Sequence, residues 1–195
     1  MIATSLKLYT AQTTWAVTLQ EAKDQCNVDT SDSDTLIQDL IYVAQEQVED
    51  YCSLKLNACT YEFYLTGLPN NGIVLPLNPV ASITSIKYRD ASNAEQTWAT
   101  TNYYYSIQES PLKIRYTDAY SLPSLYTNRF DAITVRFVTG YTSPDTIPKK
   151  LKQAILILVN DLYDMRMNVP REKFSNWEAL CYSSRVWHST VENRY

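Results

Sequence analysis

The side chains that most often carry catalysis or metal binding are few and widely spaced in this sequence. His188 is the single histidine, which excludes a metal site built on paired histidines and argues against a Ser-His-Asp triad. Gly67, Gly72 and Gly140 lie too far apart for a dinucleotide or P-loop phosphate motif. We therefore predict no catalytic residues, no bound metal and no cofactor, and we expect the protein not to be an enzyme.

Cysteines and a cluster of aspartates offer the next candidates for chemistry. The four cysteines lack CxxC spacing, so we interpret them as small buried side chains, while a contact between Cys52 and Cys59 across a turn stays open. Asp29, Asp32 and Asp34 share a polar loop that lacks the Gly and the final Glu of a calcium-binding EF-hand. We favour helix capping for that loop over calcium binding.

Tyrosine is the most unusual feature of the composition, with 16 residues of this type. The run at 103–105 has two interpretations. Such rings stack on sugars or bases, which would make the protein a monomeric β-rich binding module for a glycan or a host surface. Tyrosine is also favoured in strands and in protein interfaces, and this structural interpretation is the one we prefer.

Charge is unevenly distributed along the chain. The net charge is −4 and the pI is near 5, which argues against a free DNA-binding protein because such proteins need a basic face. Residues 1–100 carry a net charge of −7 and residues 101–195 carry +3. The two halves are suited to pair between copies of the chain, or they are two unrelated solvated surfaces, and both interpretations remain open.

Helical patterns frame the chain at both ends. Thr18 and Glu21 have the spacing of a capping box before a helix at 19–26. A second amphipathic helix is predicted at 33–54, with many acids on its polar side. A third begins near Pro148 and is apolar on more than one side, because Leu156 and Ile157 point away from its main stripe, so we expect it to contact two bodies.

Between these helices the hydrophobic period changes to two. Strands are predicted at 61–65, 73–75, 82–89, 104–107, 112–116 and 132–140, joined by links too short for parallel crossovers. The fold class is therefore α+β: two N-terminal helices and a long C-terminal helix, with an inserted antiparallel β segment and an extended C-terminal tail. The predicted parts are 1–58 (helical), 59–142 (β insertion), 143–168 (long helix) and 169–195 (tail, with one short helix near 175–183).

The sequence shows no feature typical of a membrane protein. The first residues lack the basic head and apolar run of a signal peptide, and the longest aliphatic run, at 154–159, is far shorter than a membrane span. We therefore expect no membrane association.

Three blocks of the sequence resemble the head–tail connector, or adaptor, family of tailed phages and gene transfer agents, which includes gp6-like and phiE125 gp8-like proteins. The blocks appear in the family's order and together span residues 18–167. They read TLQEAKDQCNVDTSDSDTLIQDLIYVAQEQVEDYC at 18–52, LPLNPVASITSIKYRDASNAEQT at 75–97 and ITVRFVTGYTSPDTIPKKLKQAILILVNDLYDMR at 133–166.

The resemblance implies a structural role in the virion neck, at the head–tail junction, for a protein made in the host cytoplasm. It implies a ring of twelve copies under the portal protein that extends the DNA channel and joins the head to a stopper or tail-completion protein. Genomic DNA would pass through this channel without sequence-specific binding. An acidic lumen would repel the DNA backbone and let it slide.

The resemblance also suggests which residues make each contact. By position, 168–195 would reach the portal, and we expect this segment to be dispensable for folding; its contact residues would be Arg171, Lys173, Phe174, Trp177, Tyr182, Arg185, Trp187 and Tyr195. Leu156 and Ile157 are the candidates for contacts between subunits. The candidates for the channel lining are Asp32, Asp34, Asp39, Glu46, Glu49 and Asp50.

Overall fold

The computed structural model describes residues 4–117, 124–126, 129–164 and 175–186. Within these residues the chain has four α-helices and eight β-strands, which confirms the α+β class. The chain divides into two compact units: a β unit of residues 1–12 and 58–140, and a helical unit of residues 13–57 and 141–195. The chain therefore passes from one unit to the other three times.

The helical unit contains α1 (Leu19–Cys26), α2 (Asp34–Cys52), α3 (Lys149–Asp164) and α4 (Asn176–Cys181). The predicted capping box is confirmed, because the Thr18 hydroxyl accepts from the Glu21 amide and the Glu21 carboxylate accepts from the Thr18 amide at 2.7 Å. Both α1 and α2 end on left-handed residues, Asn27 and Ser53, whose amides satisfy the last carbonyls of each helix.

One apolar core joins the four helices. Its centre is formed by fully buried aliphatic side chains of α2 and α3, which recur at helical spacing: Ile37, Ile41, Ala44, Val48, Leu151, Ala154, Ile155 and Val159. Helices α1 and α4 cover this pair with Ala22, Trp177 and Cys181. Burial of this aliphatic stripe is the main stabilisation of helices that are otherwise polar.

The segment 169–195 was predicted to be an extended tail with one short helix near 175–183. A helix is found there, but it is not separate from the core as expected. Residues 175–186 form α4 and a 3-10 turn, and α4 packs on α2 and α3. Trp177 and Cys181 lie in the core of the helical unit, so removing 168–195 would take part of that core away. The expectation that this deletion leaves folding intact is therefore withdrawn.

The β unit contains two antiparallel sheets. A five-stranded sheet has the order β1-β2-β8-β4-β5, and a three-stranded sheet has the order β3-β7-β6. The strands are β1 (Thr4–Thr10), β2 (Cys59–Leu65), β3 (Ile73–Val74), β4 (Val80–Arg89), β5 (Glu95–Thr97), β6 (Tyr103–Tyr104), β7 (Lys113–Tyr116) and β8 (Ile133–Thr139).

The core of the β unit follows the alternation of its strands. In β8 every second residue is fully buried, namely Ile133, Val135 and Phe137, while the residues between them are half-exposed. They pack with side chains of both sheets, among them Phe63, Leu65, Ile73, Leu75, Ile86, Trp98, Leu112 and Ile114. The predicted insertion thus has a hydrophobic core of its own.

The first strand differs from the prediction. Residues 1–58 were expected to be helical, but β1 pairs antiparallel with β2 and belongs to the β unit. All seven residues of β1 are exposed, so this strand buries too little apolar surface to produce a clear sequence pattern. Strand β5 was also missed, since its three residues are polar and exposed.

Glycine is required at position 72 but not at position 67. Gly72 has φ +91°, and a Cβ placed there would lie 2.3 Å from the Ile114 carbonyl oxygen, because the chain approaches β7 closely before it enters β3. Gly67 has no atom within 4 Å of a Cβ at its position.

We expect Gly72→Ala to destabilise the protein by about 2 kcal/mol, because the new methyl group meets backbone and the φ angle is unfavourable. Gly67→Ala is the matched control and should change stability by less than about 0.5 kcal/mol. Thermal unfolding of both variants measures the difference. Equal melting temperatures would contradict the close approach of Gly72 to β7.

Candidate functional site

The exposed side of α2 carries a row of acids. Leu36, Asp39, Val43, Glu46 and Asp50 are separated by three or four residues, which places them on one face of the helix, and all five are exposed. We call these five residues the acidic face of α2. Asp32 is exposed in the loop before the helix. Three of the five side chains are negative and would repel anions. The other two, Leu36 and Val43, are apolar and could make hydrophobic contacts.

Two of the predicted channel residues do not belong to this face. Glu49 is only 3% exposed, because it lies on the core side of α2 beside Val48. Asp34 is half-buried and forms an ion pair with Lys23 of α1, with Nζ and Oδ1 2.6 Å apart. The prediction of Glu49 as a channel-lining residue is wrong, since a carboxylate without solvent access cannot line an open channel.

Glu49 belongs instead to a buried polar cluster with Gln45, Lys55 and Asn57, which we call the junction cluster. The Glu49 carboxylate accepts from Lys55 Nζ at 2.6 Å, from the Leu56 amide at 3.0 Å and from Gln45 Nε2 at 3.0 Å. Gln45 Nε2 also donates to Asn57 Oδ1 at 3.0 Å. Each of these buried groups has a partner, which burial of polar atoms requires.

The junction cluster holds the points at which the chain enters and leaves the helical unit. Gln45 Oε1 accepts from the Ala16 amide at 2.9 Å, and Asn57 Nδ2 donates to the Thr14 hydroxyl at 3.2 Å. The Tyr141 amide donates to the Leu56 carbonyl at 3.0 Å, and Asn57 and Tyr141 form a parallel bridge. All three passages of the chain are therefore bound to one another within this unit.

The two residues predicted for subunit contacts lie on α3. Leu156 and Ile157 are both half-buried and touch the core of the helical unit with part of their surface. The remaining part of each side chain is accessible. This placement agrees with a helix that is apolar on more than one side, while the identity of any partner stays a prediction.

Three of the eight predicted portal-contact residues lie within the described residues. Trp177 is buried and packs edge-on against Tyr51, with ring centroids 5.4 Å apart, so it is not available to a partner. Tyr182 is 57% exposed, and the Arg185 guanidinium lies 5.2 Å from the centre of the Tyr51 ring. Arg171, Lys173, Phe174, Trp187 and Tyr195 lie outside the described residues.

The cysteines mostly follow the prediction. Cys52, Cys59 and Cys181 are buried and Cys26 is half-buried, all as free thiols. Cys52 Sγ lies 3.8 Å from the Cys181 carbonyl oxygen. The contact with Cys52 and burial both raise the pKa of the Cys181 thiol, which keeps it protonated and unreactive near neutral pH.

The solvent-facing side of the five-stranded sheet carries a charged cluster around Glu62. Its carboxylate accepts from the Tyr64 hydroxyl and from Arg136, whose Nη2 lies at 2.6 Å, while the Arg136 guanidinium stacks on Tyr9 at 3.8 Å. Burial would raise the pKa of Glu62, but the hydrogen bonds from Tyr64 and Arg136 together hold it below its ordinary value. The bond to Glu62 raises the pKa of Tyr64 to about 12.

The tyrosine run at 103–105 does not form one exposed surface. Tyr103 is 7% exposed, within the core of the β unit, and lies 6.1 Å from the Trp98 ring. Tyr104 is exposed and Tyr105 is half-buried. Because alternate residues of a strand point to opposite faces, Tyr103 and Tyr104 of β6 do not share a face, so the three rings do not form one platform.

Within the described ranges, no group of three or more His, Cys, Asp or Glu side chains is placed to hold a metal ion. None of the helices described is both long enough and apolar enough to cross a membrane.

The fold matches proteins from the neck of gene transfer agent particles. One, from the neck of an empty particle computed with C6 symmetry, superposes with a TM-score of 0.77 at 20% identity, covering 94% of this chain and 96% of the other. Another, from the neck of a native particle computed with C12 symmetry, gives 0.76 at 20% identity over 94% and 96%. A third, from the virion of a native particle, gives 0.71 at 19% over 93% and 95%.

The α+β arrangement is thus that of a neck protein. A family model described as phage gp6-like head–tail connector protein matches residues 16–119, just over half of the chain. The chain belongs to the gp6-like head–tail connector family, as the three sequence blocks suggested. The family and the fold are those of structural neck proteins and not of enzymes. No curated protein sequence matches the chain.

We expect Glu49→Leu to destabilise the helical unit by about 3 kcal/mol, because Lys55 and the Leu56 amide lose this acceptor and Gln45 Nε2 keeps only Asn57 of the two acceptors described above. Glu46→Leu is the matched control on the exposed side of the same helix and should change stability by less than about 0.5 kcal/mol. Urea unfolding followed by helical circular dichroism measures both. Similar midpoints for the two variants would refute the role of the junction cluster.

We expect Tyr64→Phe to raise the pKa of Glu62 towards its ordinary value of 4.5, because the variant loses a hydrogen bond to the ionised form. A lowered carboxyl pKa stabilises the fold above pH 4.5, and this stabilisation is lost as the pH falls through the folded-state pKa. The variant should therefore lose less stability in acid. A carboxyl-carbon NMR titration measures the pKa, with Tyr104→Phe as control. An unchanged Glu62 pKa would contradict the assignment.

Proposed function

We propose that this protein is the adaptor of a virion neck and forms a ring of twelve copies between the portal protein and a stopper or tail-completion protein. The observation that carries the proposal is the fold match to neck proteins of gene transfer agents over nearly the whole of both chains. The C12 symmetry of one of those necks supports a ring of twelve, and C6 is a subgroup of the same symmetry. Membership of the head–tail connector family supports the same role.

We further propose that the acidic face of α2, together with Asp32, lines the channel through which DNA passes. The charge argument is that carboxylates repel the phosphate backbone, which keeps DNA from binding to the wall during transit. Asp32, Asp39, Glu46 and Asp50 are the accessible acids for this purpose. Asp34 contributes less, because its charge is balanced by Lys23.

The portal contact is proposed for the C-terminal segment without Trp177, which is buried in the core of the helical unit. Tyr182, the residue after α4, is exposed and Arg185 is partly exposed, and arginine and tyrosine are frequent anchors of protein interfaces. Arg171, Lys173, Phe174, Trp187 and Tyr195 remain in this proposal by position alone. Leu156 and Ile157 are proposed for contacts between neighbouring subunits.

Mixing the full chain with the portal protein of the same phage tests this function by electron microscopy. We expect a ring of added density under the portal, with the copy number visible by symmetry. Tyr182→Ala should weaken docking several-fold, because the variant loses an exposed aromatic anchor. Tyr104→Ala is the matched control, since Tyr104 is exposed to a similar extent, 55% against 57%, but lies in the β unit.

The same map decides the channel proposal, because the position of α2 relative to the ring axis is directly visible. Portals that stay bare at a high excess of the chain would overturn the adaptor role. Saturable glycan binding by a stable monomer would then favour the alternative of a β-rich binding module. In that case Tyr104→Ala, and not Tyr182→Ala, should reduce binding.

A further inference from the structure

Strand β1 leaves an exposed apolar edge on the five-stranded sheet. Among the described residues it pairs with β2 alone, so its other side presents backbone groups to solvent. Three of its side chains are large and exposed: Leu6 at 39%, Leu8 at 47% and Tyr9 at 53%. A long apolar edge strand is a template for addition of another strand, and soluble proteins usually protect such edges.

Edge strands are often protected by a β-bulge, but most of β1 has none. From Thr4 to Leu8 its residues pair one to one with β2, and the register shifts only between Leu8 and Thr10. Lys7 is the one charged residue that β1 carries.

The opposite end of the same sheet is open as well. Strand β5 is exposed at all three residues, and its pairing within the described residues is with β4. Four antiparallel steps separate β1 from β5, so the two strands run in the same direction. The registers place Lys7 across from Glu62, Glu62 across from Arg136 and Arg136 across from Ser85.

That chain of pairs determines which side chains share a face. Ser85 and Lys87 are two residues apart in β4 and therefore point to the same side, and Lys87 pairs with Thr97, two residues from Glu95. Lys7 and Glu95 thus lie on the same face of the sheet, at its two opposite ends. Their charges are opposite, and the two edges that carry them are both exposed. Glu95 also forms ion pairs with Lys87 at 2.7 Å and Arg89 at 3.4 Å, so a lysine of a neighbouring copy would share this carboxylate with them.

We propose that β5 of one copy adds in parallel beside β1 of the next copy, with Lys7 against Glu95 across the contact. The five-stranded sheets of successive copies would then be joined side by side. The contact uses two different surfaces of the chain, which is the head-to-tail geometry that a closed ring requires. It also covers the open side of Leu6 and Leu8. This inference rests on the proposed ring and names the contact that closes it.

Exchange of the two charges tests the contact in the full-length chain, assembled on the portal. Lys7→Glu and Glu95→Lys should each raise the protein concentration needed for half-maximal ring formation about fivefold or more at low salt, because like charges would then face each other. Each single variant also loses a partner within its own sheet, Glu62 for Lys7 and Lys87 for Glu95. The double variant restores only the contact between copies, so its recovery of assembly is the decisive result, and no recovery would contradict the contact. Lys113→Glu and Glu109→Lys, which change partly exposed residues elsewhere in the β unit, are the matched controls and should assemble as the wild type does.

A cross-link gives an independent readout of the same contact. With Lys7→Cys and Glu95→Cys in one chain, mild oxidation of assembled rings should yield a ladder of covalent multiples of the 22.4 kDa chain, whereas each single variant should stop at dimers at most. One result would overturn the strand addition and leave the adaptor role intact: wild-type rings form, the charge variants assemble normally, and the double cysteine variant gives no ladder. Absence of any wild-type ring on the portal would overturn both.

Discussion

The buried hydrogen bonds that Gln45 and Glu49 make from the core side of α2 hold together the segments of the helical unit that are far apart in sequence. The chain is not two domains in series, because it crosses between the units after residues 12, 57 and 140. Near all three crossings, the helical unit is held by side chains of α2 and by Asn57. Gln45 and Glu49 bind Ala16, Leu56 and Asn57, Asn57 in turn binds Thr14, and the Tyr141 amide donates to the Leu56 carbonyl. Removing the Glu49 carboxylate alone would leave Lys55 and the Leu56 amide without this acceptor, which is costly at a buried site.

The sequence predicts most of the fold because most of its elements bury one side. Helix α1 was placed at its observed bounds, since a capping box fixes the start of a helix through specific hydrogen bonds. Strand β8 alternates so regularly that its buried residues Ile133, Val135 and Phe137 follow from the pattern. The connector family was also predictable, because three ordered blocks of sequence together are more specific than any one of them.

The parts that sequence reasoning missed share a different physical cause. Glu49 sits in an acidic helix, and its residue type does not separate it from the exposed Glu46, since its partners Lys55 and Leu56 are brought to it by the fold after α2 ends. Trp177 appeared to belong to a polar tail because α4 is only six residues long and buries its apolar side chains in a core built elsewhere. Strand β1 left no pattern, as an edge strand exposed at every residue has no buried face to encode.

The pairing of β1 with β2 bears on when the chain becomes competent to assemble. The two strands pair residues fifty or more positions apart, with α1 and α2 between them in sequence, so closing this ladder costs loop entropy. The β unit has a core of its own, and β1 contributes no buried side chain to it. Strand β1 is therefore held mainly by its ladder with β2 and by the contact of Tyr9 with Arg136. A chain in which β1 is unpaired would keep the core of the β unit but would lack the edge that the proposed contact between copies uses.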